Sequence, residues 1–388
     1  MKVVFLSFSD YKGGAAIAAY NIFNSFKKKN IFFLTASGKY KKSKKINSFL
    51  DNIYINILRF IEIILIFIFN KKKYHQSLNL FNTYISKRIQ KYNPDIVNIH
   101  WVNRSMISLS EISNLNSKII ISLHDMWFLN STEHYFQIKK NNTSFIDRIC
   151  WKKKKELIYK KNVFFIAHND WMKDKFVNLF PSLKKKIFIS KYYPIDSNVF
   201  KPRNKIELRK KYNLPLNKRI IFFSAQDTND YRKGYEYFKK ILIKLSKNEN
   251  FYFLSLGKIN REFNYSKNYK HINFKDNKET SELYSLSDIF LCTSIIDNLP
   301  LTVLEAVSSG NVVISFKNGG STEVLKDIGY TFSLKNINKL VTFVEKLSNF
   351  EIKKRSIKAR QFALKNFKTN NSKTQYQKIF NKIYNLKI

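Results

Sequence analysis

Short apolar runs alternate with longer stretches of helical character along the whole chain, and the alternation starts afresh past its midpoint. The runs "KVVFLSF", "DIVNIH", "KIIISLH", "VFFIAH" and "KIFIS" come first; "RIIFFSA", "FYFLSLG", "HINF", "DIFLCTS" and "NVVISF" follow. Runs with no polar alternation suit strands buried on both faces, and strands separated by helices suit parallel sheets. Between the two sets lies "YYPIDSNVFKPRN", with two prolines and few hydrophobic repeats, which reads as a linker. At 388 residues the chain is also too long for one ordinary core. The pattern predicts an α/β protein with one Rossmann-like domain in each half.

Formal charge is +42, which invites a nucleic-acid or anionic-membrane partner. The distribution argues against the first. Lysine runs (Lys27–Lys29, Lys71–Lys73, Lys152–Lys155, Lys184–Lys186) are scattered, and Asn, Ile, Phe and Tyr are crowded too. That mixture points to a compositional bias that raises lysine everywhere on the surface. No RNA- or DNA-binding motif and no phosphate-binding arginine cluster occurs, so nucleic acid is not an expected partner. Cys150 and Cys292 stand far apart and in no C-x-x-C, as free thiols in a reducing compartment would. The opening "MKVVFLSFSDYKGG" reads as strand and turn, not as a signal peptide, so the expected location is the cytoplasm.

One segment, Ile53 to Phe69, is about long enough to span a bilayer. Arg59 and Glu62 lie inside it, each costing roughly 2.5–3.5 kcal/mol near a bilayer centre. Three residues apart, they can pair on a helix. Two readings stay open: a buried helix, or a helix dipping into a membrane face with Lys71–Lys73 meeting lipid phosphates.

The stretch "DNLPLTVLEAVSSG" carries the chemistry. Pro300 suits a first helical position, and Gly310 suits a stop. From Leu299 to Phe316, Glu305 is the only charged residue. Leu301, Val303, Leu304, Ala306 and Val307 make the helix apolar nearly all round, hence interior. An interior carboxylate needs partners. Either the chain supplies them, or a polar ligand lies across the helix start, where free N–H groups favour an anion such as a pyrophosphate. A carboxylate nearby would then accept bonds from sugar hydroxyls, and the ligand so described is a nucleotide sugar.

The stretch continues as "DNLPLTVLEAVSSGNVVISFKNGGSTEVL" and closely resembles the E-x7-E region of family 4 glycosyltransferases of the GT-B fold (glycosyl transferases group 1). The spacing runs from Asp297 to Glu305, with aspartate in place of the usual first glutamate. Gly319, Gly320 and Glu323 match the Gly-Gly-x-x-Glu that follows in that family. "GGAAIAAYNI" resembles its N-terminal glycine loop and "YRKGYEYFKKIL" its Lys-Gly phosphate motif. "PDIVNIHWVNRSMISLSEI" and "SLHDMWFLNSTEHYF" resemble a bacterial subset that makes surface polysaccharides. In that subset a cysteine-rich stretch commonly follows; here it is reduced to Cys150.

The resemblance implies two facing Rossmann-like domains with an inter-domain cleft: an acceptor-binding domain over 1–195 and a nucleotide-sugar-binding domain over 196–371. The last helix, 372–388, carries Tyr376, Ile379, Phe380, Ile383 and Tyr384 on one stripe and is expected to pack back on the first domain. It also implies roles. Glu305 binds the donor ribose, Asp297 faces the donor sugar, and backbone amides around Asn298, Leu299 and Leu301 hold donor oxygens. Arg232 and Lys233 neutralise the departing diphosphate, and Gly13 and Gly14 approach the donor closely. Anomeric configuration is retained, by a front-side mechanism in which the leaving phosphate helps deprotonate the acceptor; no nucleophile is assigned.

Each of these residues also has a plainer reading. Arg232 and Lys233 could be a solvated helix start, although cations there oppose the helix dipole unless an anion binds. Gly13 and Gly14 could form an ordinary strand–helix turn. His124 and Asp125 end the strand run "KIIISLH", where ligands of open α/β sheets bind, yet His124 could be a hydrogen-bonded core histidine. Of the histidines, His124 is the candidate for the sugar or acceptor, ahead of His100 and His168. No Asp-x-Asp occurs, so no metal and no cofactor is expected. The expected activity is a hexosyltransferase-type glycosyltransferase. Its partners would be a nucleotide-sugar donor, a glycan or lipid-linked acceptor, and an anionic inner-membrane face on which the protein sits peripherally. The rivals are a sugar-nucleotide epimerase or hydrolase on the same fold, and a non-catalytic basic protein binding membrane or nucleic acid.

Overall fold

The structure, a computed structural model, describes residues 1–26, 28–69, 75–135, 144–259, 266–274, 276–317 and 319–387. Lys27, Lys71–Lys73 and Phe136, named above, lie outside the described residues. The chain divides into two compact units, Met1–Lys191 with Ser372–Ile388, and Tyr192–Asn371. The start of the proline-bearing stretch goes with the second unit, where Ile195 N donates to the Phe367 carbonyl at 3.0 Å.

In the first unit the described strands are β1 (Val3–Ser9), β2 (Ile31–Ser37), β3 (Ser43–Lys45), β4 (Ile96–Ile99), β5 (Lys118–Ser122), β6 (Val163–Ala167) and β7 (Ile187–Ile189). They pair in the order β3-β2-β1-β4-β5-β6-β7, all parallel. The second unit holds β8 (Arg219–Asp227), β9 (Phe251–Lys258), β10 (Tyr269–Ile272), β11 (Ile289–Cys292), β12 (Val312–Phe316) and β13 (Tyr330–Phe332). Their order is β10-β9-β8-β11-β12-β13, again all parallel. Each sheet therefore reverses its winding at one place, between β1 and β4 in the first and between β8 and β11 in the second. In doubly wound sheets that reversal opens the crevice where ligands bind.

Apolar runs locate most of these strands but not β2, β3 or β13. The run "HINF" forms its strand two residues earlier, at Tyr269–Ile272, because Phe274 projects into solvent at 55% exposure. Both cysteines are buried free thiols.

Helices cover the sheets with the faces their sequences make apolar. In the second unit Phe238, Ile241, Leu242 and Leu245 of the helix Tyr235–Leu245 pack on Phe251, Phe253, Ile289 and Ile314. In the first unit the last helix, Thr369–Tyr384, buries Tyr376, Ile379, Phe380 and Ile383, and Phe380 meets Phe5 edge-on at 5.9 Å. Tyr384 departs from the expected stripe and is 43% exposed. There the helix is ending, and Lys118 Nζ closes it by donating to the carbonyls of Ile383, Tyr384 and Leu386.

The helix Phe49–Phe69 corrects two expectations. It is not a buried helix: Ile55, Leu58 and Glu62 are covered, while Phe49, Leu50, Ile57 and Phe60 each stand more than half exposed. Nor do Arg59 and Glu62 pair. Glu62 turns inward, where its Oε1 accepts from Leu80 N at 3.1 Å. Burial raises its pKa, and the hydrogen bond from the backbone of Leu80 opposes that rise.

Candidate functional site

The winding reversal of the second sheet gathers the motifs that stood apart in sequence. β8 runs into the turn Asp227–Gly234 and β11 into the loop Thr293–Pro300, and the two loops meet where Ile295 N donates to the Arg232 carbonyl at 2.8 Å. Asp230 starts a short 3-10 turn, Tyr231–Lys233, with its Oδ1 accepting from Arg232 N at 3.0 Å. Gly234 then enters the helix Tyr235–Leu245 at φ +70°, and a Cβ on it would sit 1.9 Å from the Thr293 carbonyl oxygen. Only glycine lets the two loops approach this closely.

Asp297 is where these loops exchange charge. Its Oδ2 accepts from Lys233 Nζ at 2.6 Å and from Arg232 Nη1 at 2.9 Å, while Arg232 Nη2 reaches Asp230 Oδ2 at 2.9 Å. Burial alone would raise the Asp297 pKa; the two cations beside it, with their hydrogen bonds, hold it below the ordinary carboxylate value. Arg232 and Lys233 are thus not a solvated helix start. They sit one turn ahead of the helix, and Asp297 supplies the anion that makes two cations tolerable there.

The Gly-Gly pair closes the far side of the loop. Gly319 bridges Asp297 in parallel register, and Gly320 N donates to the Asn298 carbonyl at 2.8 Å. Gly319 has φ +152°, and a Cβ there would lie 1.7 Å from the Asp297 carbonyl oxygen. Asn298, Leu299 and Leu301 have buried side chains, so what they can offer a ligand is backbone.

The helix that follows spans Leu301–Ser308, and no side chain caps its start. Pro300 stands one position earlier than expected, at the cap, with ψ 123°. Gly310 takes φ +77° just past the end, as a stop requires. Glu305 is half-buried, not fully interior, because its turn of the helix is open on one side. Tyr284 Oη donates to its Oε2 at 3.2 Å. Burial pushes the Glu305 pKa up to about 7, and the tyrosine bond only partly offsets this. Tyr284, fully buried on the helix Asn277–Leu286, gave no sign in sequence of this partnership, since nothing in helical spacing links positions 284 and 305.

In the first unit Gly13 lies at φ 98° just before the helix Gly14–Asn24, at the end of the loop that leaves β1. Asp10 ties that loop to its neighbour by accepting from the amides of Lys39 and Tyr40 and from the Ser43 hydroxyl. His124 lies two residues past β5 and is nearly covered. Its Nε2 is 2.7 Å from His100 Nδ1, and its ring stacks on His168 at 5.3 Å. Ser122 Oγ donates to Asn98 Oδ1, and Asn98 Nδ2 lies 3.0 Å from His100 Nε2. That order assigns the Nδ1 hydrogen of His100 to the His124 bond, so His124 carries its own hydrogen on Nδ1. Burial lowers the pKa of all three imidazoles, that of His168 to about 4.

Sequence reasoning passed over the neighbouring Asp125–His134 pair, 2.5 Å apart. Trp101 Nε1 and the Trp127 amide also donate to Asp125, and His134 meets Ser77 Oγ at 2.9 Å. The signal available was Asp125 beside His124; its partner comes from a loop that no periodicity marks. Among the described residues no group of three or more His, Cys, Asp or Glu is arranged to hold a metal.

Comparison with known proteins fits this geometry. Residues 204–362 match the family model for glycosyl transferases group 1. No curated protein matches the chain. Among solved structures, a glycosyltransferase from Rickettsia africae is 17% identical with a TM-score of 0.67, covering 100% of this chain and 99% of that one. HepE from Anabaena, in complex with UDP-glucose, is 13% identical with a TM-score of 0.69, covering 98% and 100%. WaaG, a glycosyltransferase involved in lipopolysaccharide biosynthesis, is 13% identical with a TM-score of 0.66, covering 96% and 98%. Two parallel-sheet α/β units with these structural relatives define a GT-B protein. Residues 204–362, which lie within the second unit, match the domain of the glycosyl transferases group 1 family.

Proposed function

We propose that this enzyme moves a hexosyl unit from a nucleotide sugar to a glycan or lipid-linked acceptor, with retention of configuration. The setting we assign is bacterial surface-polysaccharide synthesis on the cytoplasmic side of the inner membrane. The observation that carries the reading is Glu305: a half-buried carboxyl with a pKa near 7, on a helix whose start is uncapped. A vicinal diol donating to Glu305 would supply the partners it lacks and favour its ionised form. The neighbouring amides at the start of the helix would then lie along the donor's phosphates. HepE, similar in fold, was solved with UDP-glucose, and WaaG acts in lipopolysaccharide biosynthesis, which supports the donor class and the setting.

In this reading the bond between the anomeric carbon and the diphosphate breaks, and the leaving oxygen gains charge. Arg232 and Lys233 stabilise that charge where a metal would otherwise be needed. The acceptor hydroxyl attacks from the same face, and its proton passes to the leaving phosphate. Asp297 holds both cations in place and faces the donor sugar. His124 is assigned to the sugar or acceptor as a neutral hydrogen-bond donor.

A thermal-shift panel of UDP-, GDP- and ADP-sugars tests this, because a ligand that binds only the folded state raises its melting temperature. One nucleotide sugar is expected to give a clear shift, and Glu305→Ala and Lys233→Ala are each expected to abolish most of it. A flat panel, or a shift that survives both substitutions, would overturn the assignment.

A further inference from the structure

The helix Phe49–Phe69 presents an apolar surface that no described residue of its own unit covers. Ile53, Ile57, Phe60 and Ile64 recur at helical spacing on the outward side, with exposures from 41% to 63%. A water-facing helix rarely keeps so many bulky residues; a contiguous apolar patch of this kind marks an interaction surface. Both carboxylates of the helix are withdrawn from that side. Asp51 is held by Arg88 at 2.5 Å, and Glu62 is 4% exposed and bonded to Leu80 N.

Cations frame the patch. At one end Tyr54 stacks on Tyr84, and Lys87 Nζ lies 5.4 Å from the Tyr84 ring centre. At the other end Leu65 and Ile66 pack on the cluster of Leu78, Ile146 and Cys150, the last two from the helix Phe145–Ile158. The outer side of that second helix carries Phe145, Arg148, Lys152 and Lys155, all exposed and spaced along one face. An apolar strip edged by aromatic rings and then by exposed cations matches a bilayer leaflet, from acyl chains outward to anionic headgroups.

We infer that Phe49–Phe69 is a docking helix that lies flat in the surface of an anionic lipid bilayer. At 21 residues it is about 31 Å long, enough by length to cross the hydrocarbon. Its covered side forbids crossing. Ile55 and Leu58 are packed into the unit and Glu62 is bonded within it, so a spanning helix would have to break these contacts and carry Arg59 and Glu62 into lipid. In the flat orientation the outward apolar residues enter the leaflet while Arg148, Lys152 and Lys155 reach headgroup phosphates. This gives the chain a lipid surface of its own, separate from Glu305 and Asp297, and it does not depend on the donor chemistry.

The full-length protein is to be floated with vesicles of phosphatidylcholine alone and of phosphatidylcholine with about one third phosphatidylglycerol. Binding to the anionic vesicles is expected, at least ten-fold tighter than to the neutral ones. Phe60→Asp with Ile64→Asp should reduce it at least ten-fold; Arg148→Glu with Lys152→Glu should bring it down to the neutral-vesicle level. Both variants should keep the parent's circular-dichroism spectrum and melting temperature, which reports that they are folded; the milder pair Phe60→Ser and Ile64→Ser serves if the aspartates do not fold. Three results would overturn the inference: no vesicle binding by the parent protein, a concentration-dependent dimer broken by the apolar variants in its place, or bound protein that resists extraction by alkaline carbonate, which would mark a spanning helix.

Discussion

Lys233 Nζ and Asp297 Oδ2 lie 2.6 Å apart although 64 positions separate them in the chain, and Arg232 shares the same oxygen. The pairing joins the two loops at the winding reversal of the second sheet. It also sets the resting charge of the site, with both cations held by buried Asp297, Arg232 by Asp230 as well, and a diphosphate left to compete for them. The site is therefore poised for an anion without leaving a positive pair unbalanced in its absence.

Asp297→Asn separates holding the cations from binding the anion. The variant is expected to bind a bare nucleoside diphosphate several-fold more tightly, since the site gains a unit of positive charge. Its transfer rate should fall by about 100-fold or more, as the cations lose their fixed position. Lys233→Ala should weaken diphosphate binding by about ten-fold. Titration calorimetry with UDP and GDP, beside a transfer assay, reads both; tighter binding in Lys233→Ala would contradict the assignment.

Glu305 makes both stability and binding depend on pH. Its folded pKa of about 7 lies above the ordinary carboxyl value of 4.5. The stability tied to its protonated form is full below about pH 4.5 and is lost as pH rises through about 7. Glu305→Gln should remove that slope, worth on the order of 1–2 kcal/mol after allowance for partial solvent exposure. If ligand hydroxyls select the ionised form, donor binding at pH 7 should release a fraction of a proton in the parent and none in Glu305→Gln. Calorimetry in buffers of different ionisation enthalpy measures this, and proton uptake would refute it.

Gly319 is expected to tolerate no side chain. A Cβ would fall 1.7 Å from the Asp297 carbonyl oxygen, at a φ that L-residues avoid. Gly319→Ala should cost about 3 kcal/mol or more and lower the melting temperature of the second unit by roughly 6–12 °C. Gly320→Ala should cost far less, since its φ of −69° is one that alanine adopts freely. Equal melting temperatures for the two variants would mean that the Gly319 contact does not hold in solution.

How much of this was legible in the sequence depended on whether a feature is local. The two-sheet α/β architecture, the Gly310 stop and the motif around Asp297 lie in short contiguous stretches, and they were read there. β3 and β13, three residues each, are too short to give a period. The tyrosine that meets Glu305, the imidazole that meets Asp125 and the amide that draws Glu62 inward come from elsewhere in the chain, and no spacing rule reaches them. The helix Phe49–Phe69 shows the same limit. Its apolar composition is plain, but whether protein covers it depends on where other elements run, and here they leave one side open.

His124 supplies the last prediction. Its bond to His100 and its burial keep it neutral well below pH 7, so it should act as a fixed N–H donor and not as a proton shuttle. His124→Gln, which can still donate, should keep transfer within about ten-fold of the parent, while His124→Ala should lose about 10–100-fold. Both should retain the donor-induced thermal shift, because the donor residues assigned here, Glu305 and Lys233, belong to the second unit. Rate profiles from pH 6 to 8 should have the same shape in the parent and in His124→Gln. A limb near pH 6.5 that disappears in His124→Gln would show that this imidazole titrates during turnover, and the neutral-donor role would fail.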